Sequence, residues 1–508
     1  MKKLLIIISV FMVFSACSKL EDLNKNTKDF TVVPGEALYN GATRALINQM
    51  FTPNVNQNNT MLWVQHWAET TYPDESRYDM VTRPIPANHM NVLYRNVLMN
   101  YKEAVKAFNA VPILEGTPTT ATQKKQRANE LSIIEIMSVY AWSNLVETYG
   151  DMPYTEALDI NNPAPKYDDA MTIYKDLITR LNVAISKMDV TAIGMPGSGA
   201  TAHDNIFCTT TTTGSTAKWI KFANSLKLRM GLMLADVDAA YAKTIVEAAA
   251  PNVFVSGDKA ALTYLAASPN TNPLYTELVA SGRSDFVVTS VLIDAMQPTT
   301  PTPAHSVLSV GLTDPRLAFY ATKTGDPAAF KGGKQGSPNS YNSFSHVLNS
   351  TAATTTTPVV IMDYAETEFL LAEAIERGFA VGGTAATHYN NAITASIVSW
   401  GGTATQATAY LADPAVAYTT AVGTWQQKIG TQAWIAYWLR GMTAWTSFRR
   451  LDFPKLSAPA GHVEGIDKVP TRYTFAVSEQ TLNGTNYTAA AAKIGGDTPL
   501  TKLFWDKY

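Results

Sequence analysis

The chain has 508 residues, of which 46% are hydrophobic and only 16% charged. That composition suits a large, well-buried globular protein. A formal charge of −2 lacks the basic excess on which a nucleic-acid partner depends.

At the N-terminus, Lys2 and Lys3 precede an apolar run from Leu4 to Phe14, and Ser15-Ala16-Cys17 follow. A charged start, a short apolar core and small residues before a break form an export signal. The run is too short to span a bilayer, which takes about 20 residues. Small residues directly before a cysteine resemble a bacterial lipobox, although Phe14 stands where Leu is usual. The expectation is a signal peptide at residues 1–16 and a mature chain, 17–508, that begins with an acylated Cys17. One acyl chain anchors marginally, at about 0.8 kcal/mol per buried methylene, and two or three hold firmly. Without Lys2 and Lys3 the mature chain carries 38 basic and 42 acidic residues, a net −4. The only other cysteine, Cys208, reads as a buried, inert thiol.

Along the chain, the dominant pattern is helical. The segment MLWVQHWAETTYPDESRY (61–78) starts as a helix, with Trp63 and Trp67 one turn apart, and breaks at Pro73. Residues 123–149 and 168–188 read as two helices. The Pro- and Asp-rich connector between them makes a helix hairpin. In KWIKFANSLKLRMGLMLADV, Trp219, Phe222, Leu226, Met230 and Met233 share one face at a spacing near 3.6. The Thr- and Pro-rich tracts 208–216, 298–304 and 350–358 are loops, and the region 256–349 is loop-rich throughout, with short hairpins at most. In DYAETEFLLAEAIERGF, Phe369, Ala372 and Ile375 form an apolar stripe. Glu373 and Arg377 pair one turn apart, and Gly378 stops the helix. Thr424 to Leu451 reads as one long helix, with Trp434, Trp438, Gly441, Trp445 and Phe448 on a core-facing stripe and a close neighbour at Gly441. Stacked helix hairpins follow the logic of α-solenoids, although no clean sequence repeat is visible.

Catalytic signatures are missing from the sequence. No two of the seven histidines fall within one helical turn, so an HExxH zinc site is absent. GGKQ (332–335) lacks both the upstream Gly and the Ser or Thr of a phosphate loop, GMPGSG (194–199) reads as a turn, and no G-x-S-x-G elbow occurs. A two-carboxylate glycosidase stays open, because carboxylates are too common to pair from sequence. Isolated acids such as Glu366 and Glu368 read as solvated or capping. Binding is the better reading for the loop after Pro73. Flat aromatic faces there stack on sugars or peptide side chains while neighbouring polar groups fix orientation. The candidate contacts are Trp67, Tyr72, Asp74, Arg77 and Tyr78, with Arg283, Asp285 and Phe286 of SGRSDF and Tyr341 of SYNSF as weaker clusters. No cofactor is indicated, and a structural calcium in one of the Asp-rich loops stays open.

NLVETYGDMPYTEAL (144–158), KWIKFANSLKLRM (218–230), LTDPRL (312–317), AETEFLLAEAIERG (365–378) and IGTQAWIAYWLRGMTAWTSFRRLDFPKL (429–456) together resemble the SusD/RagB family, in its SusD-like lipoprotein branch. The likeness runs from Cys17 to the C-terminus. It departs near the end, where Phe475-Ala476 replace a common Tyr-Pro. It implies an all-α fold of tetratricopeptide-like helix hairpins with a loop-rich insert carrying the ligand contacts. It also implies a lipid anchor in the outer membrane, display on the cell exterior, and a SusC-like TonB-dependent β-barrel as partner. The ligand it implies is an oligosaccharide or, in some members, a peptide. The acidic pair Glu21-Asp22 is similar to signals that send such lipoproteins to the surface. No ligand residue carries over by motif. Arg229, Arg449 and Arg450 read as bonding loop carbonyls or helix ends. The function expected is capture of a nutrient without bond breakage. A surface glycosidase or peptidase, and a helical scaffold with no small ligand, are the alternatives.

Overall fold

The computed structural model describes residues 33–195, 204–207, 214–300, 308–347 and 353–508. Cys17, Cys208 and most of the 194–199 turn lie outside them. The architecture is all-α, built from helix hairpins of the tetratricopeptide kind. Thr120–Tyr149 packs on Ala170–Lys187, Gly214–Met233 on Ala239–Ala249, and Tyr364–Glu376 on Ala385–Ser399. Gly35–Phe51 and Met99–Ala110 make a fourth pair. Gly214–Met233 touches members of the neighbouring hairpins on both sides, so the pairs stack into one core. Its stripe of Trp219, Phe222, Leu226, Met230 and Met233 is fully buried.

Helix ends follow from local chemistry. Asp169 and Asp363 cap Ala170–Lys187 and Tyr364–Glu376 by accepting from Thr172 N and Glu366 N. Gly378, at φ +78°, closes the second of these. The last carbonyls of Thr120–Tyr149 are taken by two buried arginines. Arg449 Nη1 donates to Glu147 O at 2.8 Å, and Arg472 Nη2 to Tyr149 O at 3.0 Å. Arg449 lies 3.5 Å from the Trp445 ring centroid, and its burial pulls its pKa down to about 9. The FRR block is thus packing machinery, as the sequence suggests, but its arginines divide the work. Arg450 pairs with Glu373 at 2.8 Å and Arg229 approaches Glu366 at 3.6 Å, so these two bond carboxylates instead of carbonyls.

Four sequence expectations need correction. Residues 424–451 form two helices, Trp425–Ala436 and Gly441–Leu451, separated by a turn in which Leu439 has φ +64°. The break is anchored by Arg440, whose guanidinium turns to Ile361 O, Asp363 and Glu366. Gly441 does meet a close neighbour: a Cβ there would lie 2.5 Å from Thr60 Oγ1. Second, the helix at Trp63 is only Thr60–Trp63, and Trp67 lies on a strand. Third, Glu366 and Glu368 are neither solvated nor capping. Both are buried, the first against Arg440 and Arg229, the second 2.8 Å from His388 Nδ1. Fourth, the loop-rich region holds short strands that pair with distant segments. Trp67–Glu69 pairs antiparallel with Phe286–Val288, and Lys259–Leu262 with Val359–Asp363. Such pairing across more than 90 residues leaves no local signature.

Candidate functional site

The strand Trp67–Glu69 leads directly into the loop that carries Tyr72. Trp67 pairs with Val288 and Glu69 with Phe286, and beyond the ladder Thr70 N donates to Asp285 O at 2.9 Å. Thr70 Oγ1 donates to Ser284 O at 2.7 Å. These bonds set the loop of Tyr72 beside that of Arg283 and Asp285. Asn339 ties in a third segment, since its N donates to Thr70 O and its Nδ2 to Glu69 O, Lys334 O and Ser337 O. A fourth comes from the C-terminal region. Arg77 Nε donates to Gly336 O at 2.8 Å, and Val463 N donates to Arg77 O at 2.9 Å. Four stretches far apart in sequence therefore make one loop face.

The GGKQ stretch belongs to this framework. Gly333 N donates to Val288 O, and a Cβ on Gly332 would fall 2.2 Å from Ser290 Cα. Close backbone packing explains these glycines. Strained residues also concentrate here: Gln65, Tyr72 and Tyr78 hold φ of 56°, 51° and 74°. Non-glycine residues in this region cost on the order of 1–3 kcal/mol each and persist where surrounding contacts fix them.

The nine residues singled out from sequence divide by exposure. Tyr72 stands out at 73% exposed. Arg283 is exposed and pairs with half-buried Asp285 at 2.6 Å. Asp74 and Arg77 are half-buried on the same face, Asp74 through backbone bonds that hold the turn to Asp79. Tyr341 is half-buried and stacks on His346 with centroids 3.8 Å apart. Trp67, Tyr78 and Phe286, by contrast, are 1%, 0% and 6% exposed. Trp67 packs on Phe286 at 5.2 Å and Tyr78 edge-on to Trp63 at 6.4 Å. These three rings build the base under the loops and have no free face for a ligand, which corrects the sequence expectation for them.

Sequence reading missed the groups that shape the face. Gly336, Asn339 and Val463 act through backbone and amide bonds that no motif marks. Beneath the loop, Glu69 and Glu75 are 3% and 1% exposed. Glu69 accepts from Ser76 N at 3.0 Å, and Arg83 pairs with Glu75. Burial, then the hydrogen bond to Glu75, pushes the Glu69 carboxyl up to about 9, so it holds a proton at neutral pH. Arg83 and this protonated carboxyl leave the loop base nearly neutral. What the face offers is one prominent aromatic ring, a surface ion pair and half-buried polar groups, which suits stacking and hydrogen bonding. Among the described residues, no group of three or more His, Cys, Asp or Glu is placed to hold a metal ion. No described helix is long and apolar enough to cross a membrane.

A family model described as SusD-like, starch-binding and associating with outer membrane, matches residues 27–476. Solved structures share the fold over nearly the whole chain. A SusD homolog from Parabacteroides distasonis superposes with a TM-score of 0.75 at 20% identity, covering 93% of this chain and 98% of that one. A chitin-binding protein gives 0.74 at 24%, covering 93% and 100%. A chitin-binding SusD homolog from Flavobacterium johnsoniae gives 0.71 at 23%, covering 92% and 98%. No curated protein sequence matches the chain.

Proposed function

Because this chain belongs to the SusD-like family, we propose that it is a non-catalytic glycan-binding protein of the outer membrane that captures an oligosaccharide at its loop face. The family match over residues 27–476, in a family described as starch-binding and associating with outer membrane, carries this reading. The chitin-binding relatives, although distant, support an uncharged glycan as the ligand class over a peptide. Tyr72 supplies the stacking surface, and Asp74, Arg77, Arg283, Asp285 and Tyr341 supply hydrogen bonds around it. Capture takes place outside the cell, with the body tethered through lipid on Cys17. A SusC-like TonB-dependent β-barrel receives the ligand. Binding needs no proton transfer or nucleophile, and a shallow polar face with one stacking ring meets that need.

The test is isothermal titration of purified protein with starch-type and chitin-type oligosaccharides and with a peptide panel. Tyr72→Ala is expected to weaken glycan binding at least tenfold, about 1.4 kcal/mol. Unchanged affinity in both Tyr72→Ala and Arg283→Ala would move the site away from the loop face. Binding of peptides alone would replace the glycan reading.

A further inference from the structure

A concave site lies on the helical scaffold, lined by residues other than those of the loop face. It is a cavity of about 730 Å³, within the range of small-ligand pockets. One wall is the strand Val359–Asp363 with the start of the helix Tyr364–Glu376, and Asn272 adds to it. Another part of the lining is one face of Ala385–Ser399. Asn391, Thr394, Ala395, Val398 and Ser399 fall there at i, i+3, i+4, i+7 and i+8. That face is unusual for a surface helix. It is neither charged nor a continuous apolar stripe, but carries an amide and two hydroxyls among small apolar groups.

Aromatic rings complete the cavity. Phe319, Trp400 and Trp438 line it. Trp438 stacks on Tyr320 with centroids 5.1 Å apart and planes 8° from parallel, and Trp400 meets Tyr320 edge-on at 4.9 Å. Tyr320 is itself fixed by its hydroxyl, which donates to Ile435 O at 3.0 Å. Two tryptophans are thereby held rigid before any ligand arrives, which lowers the ordering cost of binding. Half-buried Phe319 and Trp400 supply the accessible ring surface, while Trp438 is itself only 1% exposed and backs the wall. The next residue, Leu439, also lines the cavity and holds its left-handed φ of +64°. Strain of that kind concentrates at binding sites.

Both carboxylates that line the cavity are paired, and exposed Lys259 is the further charged group in its lining. Asp363 is paired with Arg440 at 3.4 Å and Asp258 with Lys221 at 2.8 Å. Rigid aromatic rings, neutral amides and hydroxyls, and paired carboxylates favour an uncharged ligand with many hydroxyl groups and apolar faces. We infer that this cavity is a second carbohydrate site, taking a short uncharged saccharide and distinct from the loop face. Trp67 under the loop face and Trp438 behind the cavity are in contact at 6.1 Å, so one buried aromatic layer underlies both.

The inference rests on the reading that the protein binds uncharged glycans, and the test separates the two. Equilibrium dialysis of the full chain uses maltotriose and triacetylchitotriose as probes, with a pentapeptide as competitor. The variants are Ala395→Trp, which fills the cavity, Val398→Lys, at a position 48% exposed where folding tolerates change, and Tyr72→Ala on the loop face. The wild type is expected to take two equivalents of one probe. Both cavity variants, folded by circular dichroism, are expected to take one equivalent with unchanged affinity, and Tyr72→Ala to weaken the other at least tenfold. One equivalent in the wild type, unaffected by either cavity variant but weakened by Tyr72→Ala, overturns the cavity site and leaves the loop-face function intact. Displacement from the cavity by the pentapeptide overturns its carbohydrate assignment. No uptake of either probe overturns both readings.

Discussion

Glu373→Ala tests the buried charge network that joins the hairpins. Glu373 has no exposed side-chain surface and pairs with Arg450 at 2.8 Å and Arg377 at 2.9 Å. Arg377 keeps a second carboxylate, Asp236, at 2.9 Å, whereas Glu373 is the carboxylate that pairs with Arg450. The variant therefore strands one buried guanidinium that is only 5% exposed. Removing one partner of a buried pair costs about 3–5 kcal/mol, because the remaining charge lacks both water and a counterion. The double variant Glu373→Ala/Arg450→Met is expected to recover much of that loss, since an apolar replacement of the whole pair is near neutral. Lys106→Ala, in a pair whose side chains are 61% and 43% exposed, is the control and should cost less than about 1 kcal/mol. Urea unfolding followed by tryptophan fluorescence measures all three. A loss under about 1 kcal/mol for Glu373→Ala, or a double variant worse than the single, would refute the network's role.

Three further outcomes follow from the same structure. Gly441→Ala puts a Cβ 2.5 Å from Thr60 Oγ1 and 2.8 Å from Met61 N, so it should lose about 1–3 kcal/mol in urea unfolding; an unchanged midpoint would contradict the close approach. Glu69 has its pKa raised to about 9 in the fold, so the folded state binds the extra proton between its unfolded pKa of about 4.3 and 9. Its contribution is full below the unfolded value and is lost as pH rises through the folded one. Glu69→Gln should therefore gain stability relative to wild type as pH rises from 5 to 9, and a pH-independent difference would show that Glu69 is ionised. Cys17→Ser should leave the protein unprocessed or released from the membrane fraction while the body stays folded, as read by fractionation and circular dichroism; retention in the membrane with normal processing would rule out the lipid tether.

Legibility in the sequence tracked how local the physics is. The stripe from Trp219 to Met233 and the Glu373–Arg377 pair lie within one helix, and periodicity reveals both. The break at Leu439 was hidden because its cause is Arg440 reaching Asp363 and Glu366, more than 70 residues away. Trp67 and Tyr78 looked like binding aromatics because aromatic rings serve a core and a ligand equally well, and only burial separates the two uses. Tyr72, Arg283 and Asp285 stand out in the sequence by composition alone. Their neighbourhood arises from strand pairing between Trp67–Glu69 and Phe286–Val288, which no short window records. Thr394 and Val398 give no sign of a cavity, since small and neutral residues on a helix carry no motif, and Trp438 reads as core from its spacing.

The most direct measurement is calorimetric titration of the purified protein with maltotriose-type and chitotriose-type ligands, with chromatography of the ligand recovered afterwards. The account predicts saturable binding of an uncharged oligosaccharide that is recovered intact, weakened at least tenfold in Tyr72→Ala. Steady cleavage of the ligand, or no binding to any glycan alongside binding to peptides, would contradict it.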